Sequence, residues 1–388
     1  MMLAPVYAVF MQSRGISDFG ISLLLVLWSG GVLVTQFPVA HLARMFGAKN
    51  VLFLGQVLKA IAFVLWILWP TFTGFAVGMV LWGMHGAIYN VVSEDVLYDE
   101  LRARTNTLVY ERILGRRKNI AAIAVALSSF GSLLMVWGYE FITAMSVVAL
   151  VLSMLFLSRM NLVQEYRGVT ENGGSVIKSV KSAIAAMRTT PGIVAMLVLS
   201  VLVTNFSYLN DYLSLIGYDI GVPTEYIGAV PFFILVCQVI GQAFAHKFVG
   251  VRWGILAGMI IAAGALFGVF AVYYSIVGLL ALGAAYIICA VIKILLYARF
   301  QKMTPSSQRM EFLSFYSIAD QGTYMIVCLI IGLGSMIGSW RYSIAILGAL
   351  LCALGAISVW FVRHRVGGDT MPSPAPNATV RPSGGDVV

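Results

Sequence analysis

Cysteine occurs only four times in 388 residues, and Cys237, Cys289, Cys328 and Cys352 each sit alone inside an apolar stretch. Isolated thiols without paired or Cys/His spacing exclude a disulfide framework and a zinc site, and they read as small buried apolar residues. No cofactor is expected. Charge is also scarce: Asp, Glu, Lys and Arg make up 11% of the chain against 60% hydrophobic residues, with a mean hydropathy of +0.92. That balance lies outside the range of soluble globular domains. Acidic residues are the scarcer sign, 16 against 25 basic, for a net charge of +9. The excess is spread over short gaps instead of gathered on one face, which argues against a nucleic-acid partner. Signatures of ATP use and of hydrolysis are missing too. There is no Gly-x-x-x-x-Gly-Lys-Ser/Thr loop, no His-Glu-x-x-His pair and no Gly-x-Ser-x-Gly elbow, so an enzyme is not expected.

What the chain has instead is a series of apolar segments, at roughly 1–13, 20–44, 50–69, 71–97, 107–136, 138–161, 191–217, 224–247, 253–272, 274–300, 308–337 and 341–362. The positive charges fall into alternate gaps between them. Arg44 and Lys49, then Arg102, Arg104, Arg112, Arg116, Arg117 and Lys118, then Arg159, Arg167, Lys178, Lys181 and Arg188 fill the second, fourth and sixth gaps. Lys247, Arg252, Arg299, Lys302, Arg309, Arg363, Arg365 and Arg381 continue the pattern, while the remaining gaps hold only Arg14 and Arg341. Cytoplasmic loops retain Lys and Arg, so the even gaps and both chain ends are expected in the cytoplasm of a cell membrane, a bacterial inner membrane being the natural setting.

The first segment runs about 13 residues before Arg14, against about 20 for a full span. The first helix is therefore expected to be truncated, and its start carries no secretory-signal pattern. Segments one to six (1–161) and seven to twelve (191–364) are expected to form two halves, joined by a basic cytoplasmic linker at 162–190 and followed by a disordered tail at 365–388. The halves echo each other. Arg14-Gly15-Ile16-Ser17 answers Ile220-Gly221-Val222-Pro223, and the turn Arg44 to Lys49 answers Lys247 to Arg252. Leu97-Tyr98 answers Leu296-Tyr297, a register that sets Glu94 opposite Lys293. Such weak internal symmetry is typical of secondary transporters.

With these residues in place the chain resembles the major facilitator superfamily. Ala40 to Gly55, AHLARMFGAKNVLFLG, is similar to that family's turn between helices two and three, with Gly47 and Lys49 at its second glycine and a basic position. Arg44 stands where the family has an acidic residue, Met45 where it has arginine and Ala40 where it has its first glycine. An Arg-x-x-Gln-Gly run in segment four and a Gly-Pro motif in segment five are absent. The resemblance implies twelve transmembrane helices in two pseudo-symmetric halves of six. It also implies alternating access around a central site lined by helices one, four, seven and ten.

Ionisable groups inside apolar segments are site candidates, because an unpaired charge in hydrocarbon costs several kcal/mol. Lys59 in segment three is expected to meet Glu94 or Asp95 in segment four, as a structural or gating ion pair. Gly83, Ala87, Asn90, Glu94 and Tyr98 recur at three- and four-residue steps, forming a small and polar face that suits either the cavity or a close helix contact. Lys293 and Asp320 are expected to form a second pair, with Gln321 and Tyr324 extending a polar stripe from Ser317. Asp211 has no basic neighbour and shares a face with Thr204 and Tyr208, flanked by Asn205. A carboxylate so placed is the leading proton-coupling candidate. His85 is a second titratable candidate. Tyr7, Gln12, Gln238, Gln242 and Tyr286 are candidate neutral contacts, and Trp28, Trp66, Trp69, Trp137, Trp340 and Trp360 are assigned to interfaces and packing.

The function expected from these features is secondary active transport of a small, amphipathic organic molecule, coupled to protons and directed towards export, by a monomer surrounded by lipid. The alternatives are a membrane-embedded enzyme, for which no motif speaks, and an uncoupled channel or lipid scramblase on the same fold.

Overall fold

A computed structural model describes residues 2–3, 5–103, 110–160, 191–304 and 309–365. The expected linker and all but the first residue of the tail lie outside these. Among the described residues all regular structure is helical. The α-helices are α1 (Tyr7–Ser13), α2 (Asp18–Gln36), α3 (Val39–Phe46), α4 (Ala48–Leu68), α5 (Phe72–Ala103), α6 (Tyr110–Ser129), α7 (Tyr139–Arg159), α8 (Pro191–Phe206), α9 (Leu213–Asp219), α10 (Ala229–Phe244), α11 (Trp253–Val272), α12 (Leu279–Met303), α13 (Arg309–Ser335) and α14 (Trp340–Arg365). Among the described residues ten helices are long and apolar enough to cross a membrane. The other two expected segments are α1, seven residues long, and α6 with its 3-10 continuation Phe130–Trp137, whose apolar part covers Ile123–Trp137.

Two expected segments are interrupted. Segment two breaks at Phe37-Pro38, because Pro38 has no N–H to donate and restarts the chain as α3. Segment seven breaks between α8 and α9, with a 3-10 turn at Asn210–Tyr212. The internal repeat is legible in the backbone itself. Among the described residues six glycines have positive φ, and they fall at matching turns of the two halves: Gly15 with Gly221, Gly47 with Gly250, and Gly138 with Gly338. A side chain is strained in that conformation, so the same turn geometry demands glycine in both halves.

Helices approach closely through small residues, the usual device where no hydrophobic force separates helix from lipid. A Cβ on Gly31 would stand 2.6 Å from the Val80 carbonyl oxygen, and one on Gly83 would stand 2.1 Å from that of Trp28, so α2 and α5 are in backbone contact. In the second half Gly264 and Gly348 bring α11 and α14 together in the same way. The halves meet through α2 and α13, where Gly332 sits against Ser22, and through Gly228, whose Cβ would stand 2.0 Å from the Ser129 carbonyl oxygen. Residues such as Val34, Leu68, Phe156, Val277 and Leu280 present apolar side chains outward.

At one end of the bundle Arg14 pairs with Glu140, and Ser339 donates to Asp219 at 2.9 Å. Tyr274, in the turn before α12, has its hydroxyl pushed well above its ordinary pKa by burial and by the nearby Asp219 charge. At the opposite, basic end Lys49 donates to the carbonyls of Ser158 and Met160, both at 2.7 Å. It thereby caps the last carbonyls of α7, a favourable place for a cation.

Candidate functional site

The break in segment seven is the local event that builds the site. Asn205, Ser207, Asn210 and Asp211 crowd into seven residues and offer the backbone alternatives to helical hydrogen bonds. Ser207 donates to the carbonyls of Val203 and Thr204, while Asn205 Nδ2 donates to that of Val201. The Leu209 N–H, released from the helix, donates to the Tyr286 hydroxyl at 2.9 Å, and Gln238 donates to Asn210 at 3.1 Å. Irregular backbone at membrane depth is stable only when satisfied by protein in this way.

The break places Asp211 against a cavity of about 260 Å³ between the helices. Tyr7 of α1 donates to Asp211 Oδ1 at 3.0 Å and Tyr324 of α13 to Oδ2 at 2.8 Å, so one carboxylate joins three elements. α8 and the turn after it contribute Thr204, Asn205, Tyr208 and Asp211 to the lining, α12 contributes Lys293, and α13 contributes Asp320, Gln321 and Tyr324. The first half supplies Tyr7, Leu25, Trp28, Met79 and Trp82. Rings dominate that wall: Trp28 and Tyr208 each meet Tyr324 edge-on at 5.8 Å, and Trp82 meets Tyr7 edge-on at 5.3 Å.

Lys293 and Asp320 were expected to pair, but among the described residues no ion pair joins them. Asp320 Oδ1 instead accepts from Asn205 at 2.9 Å, and Lys293 opens onto the cavity. Gln321 accepts from Ser29 of α2 at 2.8 Å through its side chain, and Gln36 donates to Ser317 at 2.8 Å, so the polar stripe of α13 is turned towards the first half.

The remaining candidates lie elsewhere. Lys59 stands over the Trp82 ring at 5.1 Å and near His85, roughly two and a half to three and a half turns before Glu94 and Asp95 on α5 at 3.6 residues per turn. The side chains of Glu94 and Asp95 are outside the described residues, and among the described residues Lys59 has no ion-pair partner. His85 packs beside Gly55 of α4, away from the cavity lining. Asn90 is exposed, and the small face of α5 serves at Gly83 as the contact with α2. Arg44 is exposed on α3 and Gly47 makes the left-handed turn after it. Trp28, assigned to packing from the sequence, lines the cavity, and Trp82, Met79 and Leu25 were not singled out; aromatic and aliphatic residues in apolar helices carry no mark that separates wall from core.

No family model matches this sequence, and no curated protein matches it. Solved structures do. A D-xylose–proton symporter is similar over 93% of this chain and 92% of its own, at 14% identity and a TM-score of 0.71. The nucleoside transporter NupG is similar over 94% and 95%, at 13% identity and a TM-score of 0.71. A POT family transporter in complex with 5-aminolevulinic acid follows over 93% and 91%, at 13% identity and a TM-score of 0.63. The architecture is therefore the major facilitator fold that the helix two–three turn and the repeat implied: an all-α membrane protein built from two related sets of helices.

Proposed function

We propose that this chain is a secondary active transporter, in which the cavity alternates between the two sides of the membrane and Asp211 carries a coupling proton. The observation behind this reading is that Asp211, Asp320 and Lys293 converge on one cavity in an apolar bundle, where charge is retained at a cost that a working site explains. Asp211 accepts from phenols of α1 and α13. Protonation removes the charge and makes one carboxylate oxygen a donor and a poorer acceptor, so the phenols are held less firmly and the tie between α1, the seventh segment and α13 is weakened. A proton thus bears on the contact between halves. The names of the similar structures, a D-xylose–proton symporter, a nucleoside transporter and a POT family transporter in complex with 5-aminolevulinic acid, are in keeping with a small-molecule substrate.

Topology follows the charge pattern, with the basic end and both termini in the cytoplasm. Because the tyrosines occupy Asp211 while Lys293 and Asp320 remain for a ligand, proton and substrate can be bound together, which favours symport over the export anticipated from the apolar spans. In proteoliposomes with an imposed pH gradient, Asp211→Asn is expected to abolish gradient-driven accumulation while leaving substrate exchange intact. Accumulation at the wild-type level in this variant would remove Asp211 from the coupling, and accumulation driven by an outward proton flux would restore the export reading.

A further inference from the structure

Three charged groups line the cavity, and they differ in how far the protein satisfies them. Both oxygens of Asp211 accept hydrogen bonds from tyrosines. Asp320 has a protein partner on Oδ1 alone, and Lys293 has no hydrogen bond or ion pair among the described residues. The second two are groups of opposite charge type that face the same cavity without touching. Water can meet them while the cavity is wet, but a ligand that displaces water must replace those contacts or leave a charged group unmatched.

Resting on the transport reading above, we infer that the cavity takes a small zwitterion with an aromatic or apolar ring, its carboxylate on Lys293 and its ammonium on Asp320. A purely cationic ligand leaves Lys293 unmatched, a purely anionic one leaves Asp320 unmatched, and a neutral polyol matches neither charge. A zwitterion completes both interactions and keeps the cavity electrically balanced. The ring belongs against Trp28, Trp82 and Tyr208, which present flat apolar surface with a polar edge. About 260 Å³ holds a molecule the size of an amino acid better than a large amphiphile.

Calorimetry on the purified full chain in detergent tests this with three probes of one shape: L-phenylalanine, phenethylamine and 3-phenylpropionate. Phenylalanine should bind at least about tenfold more tightly than either singly charged analogue, since a site built around a charged partner rejects the analogue lacking it. Lys293→Gln should lower phenylalanine affinity to that of phenethylamine, and Asp320→Asn to that of phenylpropionate, with Lys293→Arg recovering most of the loss. Thermal melts of each variant separate lost binding from lost fold. Equal binding of the three probes, no binding of any by cooperatively melting protein, or a Lys293→Gln variant of unchanged affinity would overturn the assignment. Uptake of labelled probes into liposomes keeps the two ideas apart. Gradient-driven uptake of phenethylamine alone sinks the zwitterion and leaves transport standing, whereas tight phenylalanine binding without passage sinks transport and leaves the zwitterion.

Discussion

Lys59 and Lys293 lie deep in apolar helices of the two halves, and the folded chain gives them opposite surroundings. Lys59 is 9% exposed, enclosed between α4 and α5 with its ammonium over Trp82 and with His85 beside it. Lys293 opens onto the cavity and faces Asp320 across it. Depth in the membrane is therefore a poor guide to role. One lysine is held by a ring and its neighbours, and the other is held ready for something the protein does not supply. Trp82 touches both environments, since the residue that shields Lys59 also walls the cavity.

The comparison can be broken most forcefully at that shared residue. Trp82→Ala should cost about 3–5 kcal/mol of stability through the space it leaves beside Lys59, Tyr7, Phe63 and Trp66. A melting temperature unchanged in detergent would show that the ring does not seal Lys59. Next in size is Lys293→Met, expected to weaken zwitterion binding roughly 10- to 100-fold, about 1.4–2.7 kcal/mol, with no loss of melting temperature. If the fold is lost instead, Lys293 is a structural cation like Lys59. The smallest effect is expected for Lys59→Met: stability within about 1 kcal/mol of the parent and unchanged ligand affinity, because an apolar side chain of similar length replaces a buried charge that has no ionic partner among the described residues. A fall in affinity there would erase the distinction between the lysines. Rescue of Lys59→Ala by Glu94→Gln would restore the ion pair that the sequence pattern suggests.

Much of the fold is legible in the sequence because a membrane leaves one mark in one dimension, the length of each apolar stretch, and ten described helices match it. The turn glycines added a second mark, since Gly47 and Gly250 had been matched by sequence and share a φ that other residues rarely adopt. The second-half wall was legible for a related reason. Asn205, Tyr208, Asp211, Lys293, Asp320, Gln321 and Tyr324 are polar or part-polar residues in apolar helices, and the cavity collects all of them. The first-half wall was not, because Trp28, Met79 and Trp82 look like core in a sequence that is mostly core. Asn90 was drawn in by periodicity: the stripe it shares with Gly83 and Ala87 meets α2 at Gly83, whereas His85, singled out as titratable, packs against Gly55 of α4. The interruption of segment seven also left no apolar gap, and its stability depends on Tyr286, which is remote in sequence.

Gly228 and Gly332 let the halves touch backbone to backbone or nearly so, and both contacts lie on the side of the bundle away from the basic turns. In the proposed alternating cycle a fit that close acts as a latch on the arrangement seen here. Any side chain added at Gly228 acts as a wedge against the carbonyl of Ser129, raising the free energy of the latched arrangement without touching the cavity. In that cycle the ratio of the two arrangements would then change exponentially with the differential strain between them. On the proposed cycle, a residue that binds nothing can in this way set how often the cavity is presented to each side, and the absent side chain becomes a dial on that cycle.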